Sequence, residues 1–287
     1  MKPPPFDYAA PDTLDEAVRL LAADADAKVL AGGQSLLPLL SFRLAAPSLL
    51  VDLRRIAPLH AIERTGDAVR IGAMVTQRAA EDDAELARDV PLLREALQFV
   101  AHPQIRSRGT VGGSIVHADP AAELPAVLVA LDGRVVVRAS NGERTVDAAD
   151  LYRGFLTTSL APAEVATAVE LPAARPGTRA ACVEVAQRRG DYALCGAVVQ
   201  VTRDRDALTD ARVALFGVGQ RPVRARSVEE RLLAGDPPSG GLVREAALRA
   251  SDGLEPQTDR QASADYRRHL ARVLVRRGLE QALELAA

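Results

Sequence analysis

The sequence predicts an α+β fold in two domains, on three observations. Segments with apolar residues at helical spacing are interspersed with strand-like runs that are bounded by turn residues. Residues 172–177 interrupt this pattern with two prolines and a glycine, which predicts a linker. Beyond it, three strand-like segments precede three helical ones, an order that favours an antiparallel sheet with helices on one face.

Composition limits the function classes. The 287 residues carry a net charge of -2 that is spread along the chain, which argues against nucleic acid as a partner. No apolar run reaches the ~20 residues of a membrane span, and the N-terminus lacks the apolar part of a signal peptide. We therefore expect a cytoplasmic protein without a transmembrane segment. Cys182 and Cys195 are too few for an iron–sulfur or structural zinc site and are expected to be small core residues.

Runs of apolar and β-branched residues between turn residues predict the strands. In chain order these are 28–31, 49–52, 61–63, 68–71, 134–138, 165–171, 181–187, 193–202 and 211–218. Two hairpins are expected, because Gly66 and the pair Asn141–Gly142 supply turn residues beside the strands.

Caps and apolar stripes predict the helices. They are expected at 14–23, 77–87, 91–101, 120–131, 147–152, 228–234, 240–250 and 263–284, and 36–44 is compatible with a helix. Thr13 and Ser227 begin capping boxes. Asp119 stands as an N-cap before Pro120, and Pro91 opens a helix at its first position.

Two glycine pairs are the most informative motifs. The segment 31–35 sets one pair after a predicted strand and before a serine, and the segment 109–114 sets the other between a threonine and a serine. Adjacent glycines allow backbone N–H groups to converge on an anion, and a hydroxyl adds a donor. Each pair alone is compatible with an ordinary turn, but two in one domain predict a phosphate site.

Four segments carry a resemblance to a known family: AGGQSLLP at 31–38, QIR at 104–106, GTVGGS at 109–114 and GDYA at 190–193. Together they resemble the FAD-binding medium subunit of the molybdenum hydroxylases, the carbon monoxide dehydrogenase and xanthine dehydrogenase group. The resemblance covers essentially the whole chain.

The resemblance implies an FAD-binding domain of the vanillyl-alcohol-oxidase type over 1–173, in α+β subdomains of about 1–55 and 56–173. It implies a C-terminal domain over 178–287 with a three-stranded antiparallel sheet and a helical bundle, and FAD between the two domains. The implied cofactor-binding residues are Ala31, Gly32, Gly33, Gln34, Ser35, Leu36, Ile105, Thr110, Gly112, Gly113, Ser114, Glu123, Leu160, Asp191 and Tyr192.

Some of these residues depart from the family pattern or have a second possible role. Gln34 and Glu123 stand where the family commonly has histidine and aspartate, and Glu123 is still able to accept hydrogen bonds from cofactor hydroxyls. Tyr192 is expected to lie against the isoalloxazine ring, with a place in the interdomain core as the alternative. Asp191 either contacts the flavin or shapes the turn after Gly190.

No catalytic or metal-binding residue is expected on this chain. His102 and His117 flank the second glycine pair without the carboxylate spacing of a metal site. A position of His117 near the flavin stays open. The cysteines lack basic neighbours at the spacing of a reactive thiol. Arg188 and Arg189 either contact a phosphate or partner, or form a solvated pair.

By resemblance, the chain is expected to be an electron-transfer subunit. Its FAD would take electrons from a small partner with [2Fe-2S] clusters and pass them to an external acceptor. A large partner with a molybdenum cofactor would act on the substrate, in a dimer of heterotrimers. One alternative is a free-standing flavin oxidase or reductase, for which 287 residues leave little room. The other is an assembly protein that has lost FAD, against which the retained glycines and hydroxyls argue.

Overall fold

Three principal sheets follow one another along the chain in the computed structural model, which describes residues 1–285. The strands are β1 (Asp7–Ala9), β2 (Lys28–Leu30), β3 (Leu49–Asp52), β4 (Ile62–Thr65), β5 (Ala68–Gly72), β6 (Arg134–Ala139), β7 (Gly142–Asp147), β8 (Tyr152–Gly154), β9 (Thr157–Thr158), β10 (Val165–Pro172), β11 (Thr178–Ala186), β12 (Ala193–Asp204), β13 (Ala207–Phe216) and β14 (Val223–Arg224). The α-helices are α1 (Leu14–Ala23), α2 (Leu36–Ser41), α3 (Gln77–Asp82), α4 (Ala84–Asp89), α5 (Pro91–Leu97), α6 (Pro103–Arg106), α7 (Val111–His117), α8 (Glu123–Ala130), α9 (Ala148–Leu151), α10 (Arg226–Leu232), α11 (Gly240–Leu248) and α12 (Ala264–Ala282).

The sheets confirm the predicted α+β fold. The first is parallel, in the order β1-β3-β2, and the second is antiparallel, in the order β4-β5-β10-β6-β7. The third is antiparallel, in the order β11-β12-β13-β14. Its three long strands are the predicted ones, and the short β14 extends its edge. Helices α10 to α12 form the predicted helical layer, since their apolar side chains share one core with this sheet.

Strand β12 connects two hydrophobic cores. Val198 faces a core that also contains α5 and α8, whereas Val199 faces the core with α10 to α12. Both faces of the strand are therefore buried, which explains its continuous apolar run. The first of these cores includes Cys182 and Phe216 beside residues of the second sheet, so the two halves of the chain share it.

Local caps explain where the structure follows the sequence pattern and where it departs from it. Thr13 Oγ1 accepts a hydrogen bond from the Glu16 N–H at 3.3 Å, as the capping box predicts. The single helix predicted over 77–87 is instead two helices, because Asp83 Oδ1 accepts from the N–H groups of Glu85 and Leu86 and starts α4.

Three other predicted helix boundaries are wrong. The helix that opens at Pro91 ends at Leu97 rather than near 101, and the chain adopts a left-handed conformation at Ala101, with φ of 43°. Asp119 forms a local turn, accepting from the Ala121 N–H, so α8 begins only at Glu123. The predicted cap at Ser227 lies inside α10, where its hydroxyl donates to the Arg249 carbonyl.

Candidate functional site

A cavity of about 870 Å³ lies where the first sheet, α7, α8 and the loop between β11 and β12 meet. Its volume is in the upper part of the ~300–1,000 Å³ range of ligand pockets, as a large ligand requires. Every residue that the resemblance implies as cofactor-binding lines this cavity: Ala31, Gly32, Gly33, Gln34, Ser35, Leu36, Ile105, Thr110, Gly112, Gly113, Ser114, Glu123, Leu160, Asp191 and Tyr192.

The first glycine loop presents unused hydrogen-bond donors to the cavity. It leaves β2 and enters α2, and Gly33 adopts φ of 71°, which favours glycine. The backbone N–H groups of residues 33–36 have no acceptor within residues 1–285, whereas the Leu37 N–H is already bonded to the Gly33 carbonyl. Four consecutive donors without a protein acceptor are thus available to an anion in the cavity.

The second glycine loop is different, because the protein itself uses its backbone donors. The N–H groups of Val111 and Gly112 donate to the carbonyls of Val75 and Ala73 at 2.9 and 3.1 Å. The Gly113 N–H donates to Thr110 Oγ1 at 3.0 Å and caps α7. The free backbone donors thus belong to the first loop, and the second loop lines the cavity with Gly113 and Ser114.

Backbone contact between the loops explains the glycine at position 32. A Cβ atom there would lie 2.2 Å from the Arg108 carbonyl oxygen, so any side chain would force the loops apart. Gly112 packs closely against Ala73 in the same way. A Cβ atom added at Gly112 would lie 2.5 Å from the Cβ atom of Ala73. At these two positions, glycine permits the close packing that places both loops on one cavity.

A buried ion pair fixes the segment that precedes the second loop. Arg106 donates to both carboxylate oxygens of Glu81 at 2.9 and 3.2 Å and to the Val100 carbonyl at 2.9 Å. Two backbone hydrogen bonds attach the loop to the start of α3. The Gln77 N–H donates to the Gly109 carbonyl, and the Val111 N–H donates to the Val75 carbonyl. The second loop is therefore rigidly placed before any ligand binds.

Glu123 is the buried acid of the cavity. Only 7% of it is exposed, at the first turn of α8, and no other described residue donates a hydrogen bond to its carboxyl group. Burial, with Glu184 and Asp119 nearby, raises the pKa of Glu123 to about 8. Its carboxyl group is thus predominantly protonated at pH 7.

The loop between β11 and β12 covers one side of the cavity. Gly190 adopts φ of 89° and packs against the His102 ring, which an added Cβ would meet at 2.5 Å. Tyr192 remains 58% exposed, so it is not an interdomain core residue in this structure. Burial, followed by the negative charge of Asp119, raises the pKa of Tyr192.

Sequence reasoning assigned no cavity role to several lining residues. Gln77 is 4% exposed and lies at the start of α3, whereas Thr157 and Thr158 come from the small β8–β9 sheet. Helical or strand spacing predicts none of these positions, since the cavity joins segments distant in sequence. Both His102 and His117 line the cavity. Burial lowers the pKa of His117, which favours the neutral ring.

Comparison with known proteins identifies the family. Residues 4–174 match the model of the FAD-binding domain in molybdopterin dehydrogenase, and residues 181–282 match that of the CO dehydrogenase flavoprotein C-terminal domain. The chain is 41% identical to the alpha subunit of the 6-hydroxypseudooxynicotine dehydrogenase complex of Paenarthrobacter nicotinovorans, over 100% of this chain and 97% of the relative. The chain belongs to the FAD-binding medium subunits of the molybdenum hydroxylases. This confirms the predicted resemblance, and the family is one of oxidoreductase subunits.

Other medium subunits agree along their whole length. The carbon monoxide dehydrogenase medium chain of Hydrogenophaga pseudoflava is 37% identical, with 98% of each chain covered. The crystal structure of quinoline 2-oxidoreductase from Pseudomonas putida 86 contains a chain with a TM-score of 0.94 and 39% identity, covering 99% of both chains. These matches confirm the predicted fold.

The cavity fits the FAD that this family binds. The four unpaired N–H donors suit a pyrophosphate, and the buried, unpartnered carboxyl of Glu123 suits a polar group of a ligand. Residues 1–285 contain no cluster of three or more His, Cys, Asp or Glu side chains that could hold a metal ion. None of the helices in the described part of the chain combines the length and apolar character needed to cross a bilayer.

Proposed function

We propose that FAD binds in the 870 Å³ cavity and that the chain transfers electrons within a molybdenum hydroxylase complex. The observation that carries the proposal is that all residues implied as cofactor-binding line one cavity, in a chain whose family binds FAD. Bound FAD supplies the redox chemistry, accepting electrons and passing them on. The protein supplies position, charge and access.

The residues have distinct proposed roles. The N–H groups of 33–36 and the Ser35 hydroxyl hold the pyrophosphate, and Ser114 adds a hydroxyl from the second loop. Glu123 hydrogen-bonds a cofactor hydroxyl. Tyr192, 58% exposed in the loop above the cavity, covers one face of the flavin ring and limits access to it.

Partner subunits complete the proposed activity. A large subunit with the molybdenum cofactor acts on the substrate, a small subunit with [2Fe-2S] clusters relays electrons, and this chain passes them to an external acceptor. Support comes from relatives that are themselves named as a complex subunit and as medium chains. We infer a dimer of heterotrimers as the assembly.

Purification of the chain with its partners tests this function. The complex is expected to release FAD on denaturation and to contain molybdenum and iron, and substrate is expected to reduce the flavin only when all three subunits are present. Flavin reduction by substrate with the chain alone would instead show a free-standing oxidase or reductase. A complex without any flavin would show an assembly protein.

A further inference from the structure

A second carboxyl group with a buried, unpartnered oxygen is that of Glu184 on β11. Strand β11 alternates between two cores, with Cys182 in the core shared by both halves of the chain and Val183 against the C-terminal helices. The two-residue period of a strand places Glu184 on the same face as Cys182. Two residues later the strand ends and the chain enters the loop that lines the cavity. Glu184 therefore lies between the shared core and the cavity.

Neither carboxyl group has a hydrogen-bond partner from another residue of the described chain. Glu184 Oε2 is fully buried without a partner among residues 1–285. Glu123 is 7% exposed, and no group of another described residue donates a hydrogen bond to its carboxyl group. A buried ionised carboxylate without a partner is strongly unfavourable. The arrangement thus favours protonated forms.

The Arg106 charge does not compensate Glu123. Arg106 is the one cation among the described groups that act on Glu123, and its guanidinium is already bonded to both oxygens of Glu81. Asp119 adds a further negative charge. Burial raises the pKa of Glu184 to about 7, and that of Glu123 is about 8.

Neither the α8 dipole nor His117 offsets the burial of Glu123. The positive end of the α8 dipole favours an ionised Glu123, but burial outweighs it, since the pKa is still raised. Burial lowers the pKa of His117 on α7, which disfavours a charged ring. Other titratable side chains in this region are Tyr192 in the loop above the cavity, Cys182 on β11 and Glu95 on α5, and Lys28 and His102 also line the cavity.

We propose that burial keeps Glu123 protonated, assisted by the Glu184 carboxylate once that group is ionised, so that Glu123 meets bound FAD as a hydrogen-bond donor. The proposal rests on the proposed function, because it requires FAD in the cavity. A neutral Glu123 adds no charge to a cavity that must accept the two negative charges of a pyrophosphate. When Glu123 is ionised, FAD binding takes up one proton, which returns to this carboxylate oxygen.

The affinity for FAD measured against pH tests the proposal. FAD is titrated into the FAD-free full chain, or into the FAD-depleted complex, between about pH 6 and about pH 9.5, and binding is followed by flavin fluorescence. The dissociation constant is expected to be flat below about pH 7 and to rise about tenfold per pH unit above about pH 8, the slope for one proton.

Three variants separate the contributions. Glu123→Gln, a neutral donor of similar shape, is expected to bind FAD with a dissociation constant that no longer changes with pH. Glu184→Gln removes the Glu184 carboxylate. The dissociation constant for FAD is therefore expected to begin rising at a lower pH than in the wild type. Glu95→Gln is the matched control, because Glu95 is a neighbouring carboxylate that is not among the groups acting on Glu123, and it is expected to leave the profile unchanged.

A spectroscopic measurement keeps the test decisive if Glu184→Gln does not fold. The infrared band of a protonated carboxyl group is expected in wild-type protein at pH 7 and is expected to be weaker in Glu123→Gln. A wild-type FAD affinity that is independent of pH overturns the proposal, as does an unchanged midpoint in folded Glu184→Gln. Failure to bind FAD at any pH would overturn the proposed function instead.

Discussion

Glu123 makes the FAD-free protein less stable as the pH rises. Its ordinary pKa is 4.5, which applies to the unfolded chain, whereas the pKa in the fold is about 8. Between these values the folded state retains a proton that the unfolded state has released. The free energy of unfolding therefore falls as the pH rises through this window, and this contribution is constant below about 4.5 and above about 8.

Replacing this carboxyl group removes that pH dependence. Glu123→Gln is expected to be more stable than the wild type by a few kcal/mol at about pH 8 and by much less at about pH 5, since each pKa unit corresponds to about 1.4 kcal/mol. Urea unfolding of the FAD-free chain at both pH values measures the difference. Equal differences at the two pH values would contradict the assignment of Glu123 as the titrating group.

Gly32 tests the contact between the two loops. In Gly32→Ala, the new Cβ would lie 2.2 Å from the Arg108 carbonyl, so the loops must separate. We expect a loss of about 1–3 kcal/mol in stability and at least about tenfold weaker FAD binding. Gly219→Ala is the control, because an added Cβ there meets no atom within 4 Å. Thermal unfolding and FAD titration of both variants check this, and similar behaviour of the two would contradict it.

At the scale of elements, replacing two helix-capping side chains distinguishes an effect on stability from an effect on FAD binding. Thr110 accepts from the Gly113 N–H at 3.0 Å, and Ser239 accepts from the Leu242 N–H at 3.2 Å. Thr110→Ala and Ser239→Ala are each expected to lose about 1 kcal/mol of unfolding free energy. Only Thr110 lines the cavity, so only its variant is expected to bind FAD more weakly. Weaker binding in both variants would show a global effect instead.

Elements with strong local signals could be predicted from the sequence. The capping box at Thr13 and the turns at Gly66 and Asn141–Gly142 act within a few residues, and the structure has α1 and both hairpins there. At Asp119 and Ser227 the sequence offers equally good cap residues, but other contacts decide. Asp119 bonds its own turn, and Ser227 bonds a carbonyl of a distant segment.

In the site, too, the features with a local sequence signal could be predicted, and those that depend on long-range contacts could not. The glycine pairs and Tyr192 are recognisable motifs, and the structure brings them to one cavity. The use of the second loop's N–H groups by residues 73–75 depends on a long-range contact that no local pattern announces. Glu184 had a usable signal, since it is the one charged residue in the strand segment Ala180–Ala186. Its place on the face of β11 that meets the shared core follows only from the packing of that strand.

At the scale of the whole molecule, the shared core couples the two halves of the chain. Phe216 and Cys182 from the third sheet are buried with Leu124 and Leu97 from the preceding half. The predicted linker is itself bonded, because the Ala174 N–H donates to the Asp89 carbonyl at 2.7 Å. The domain boundaries remain a prediction, but the halves are not independent in packing.

This coupling predicts one unfolding transition. In calorimetry, the FAD-free chain is expected to show a single peak whose calorimetric and van't Hoff enthalpies agree, because loss of either half exposes the core of the other. Phe216→Ala, which empties a fully buried ring site, is expected to lower the midpoint of that one peak and leave no second peak behind. Two separate peaks in the wild type would contradict a cooperative core.

The unequal use of backbone donors by the two loops has a consequence for amide hydrogen exchange. Residues 111–114 donate to protein acceptors, so their amides are expected to exchange slowly with or without FAD. Residues 33–36 donate only to solvent in the FAD-free chain, so they are expected to exchange rapidly and to become protected on cofactor binding. Deuterium uptake followed by mass spectrometry would thus mark the first loop as the part that the cofactor orders, and the second as a part that is already ordered without FAD.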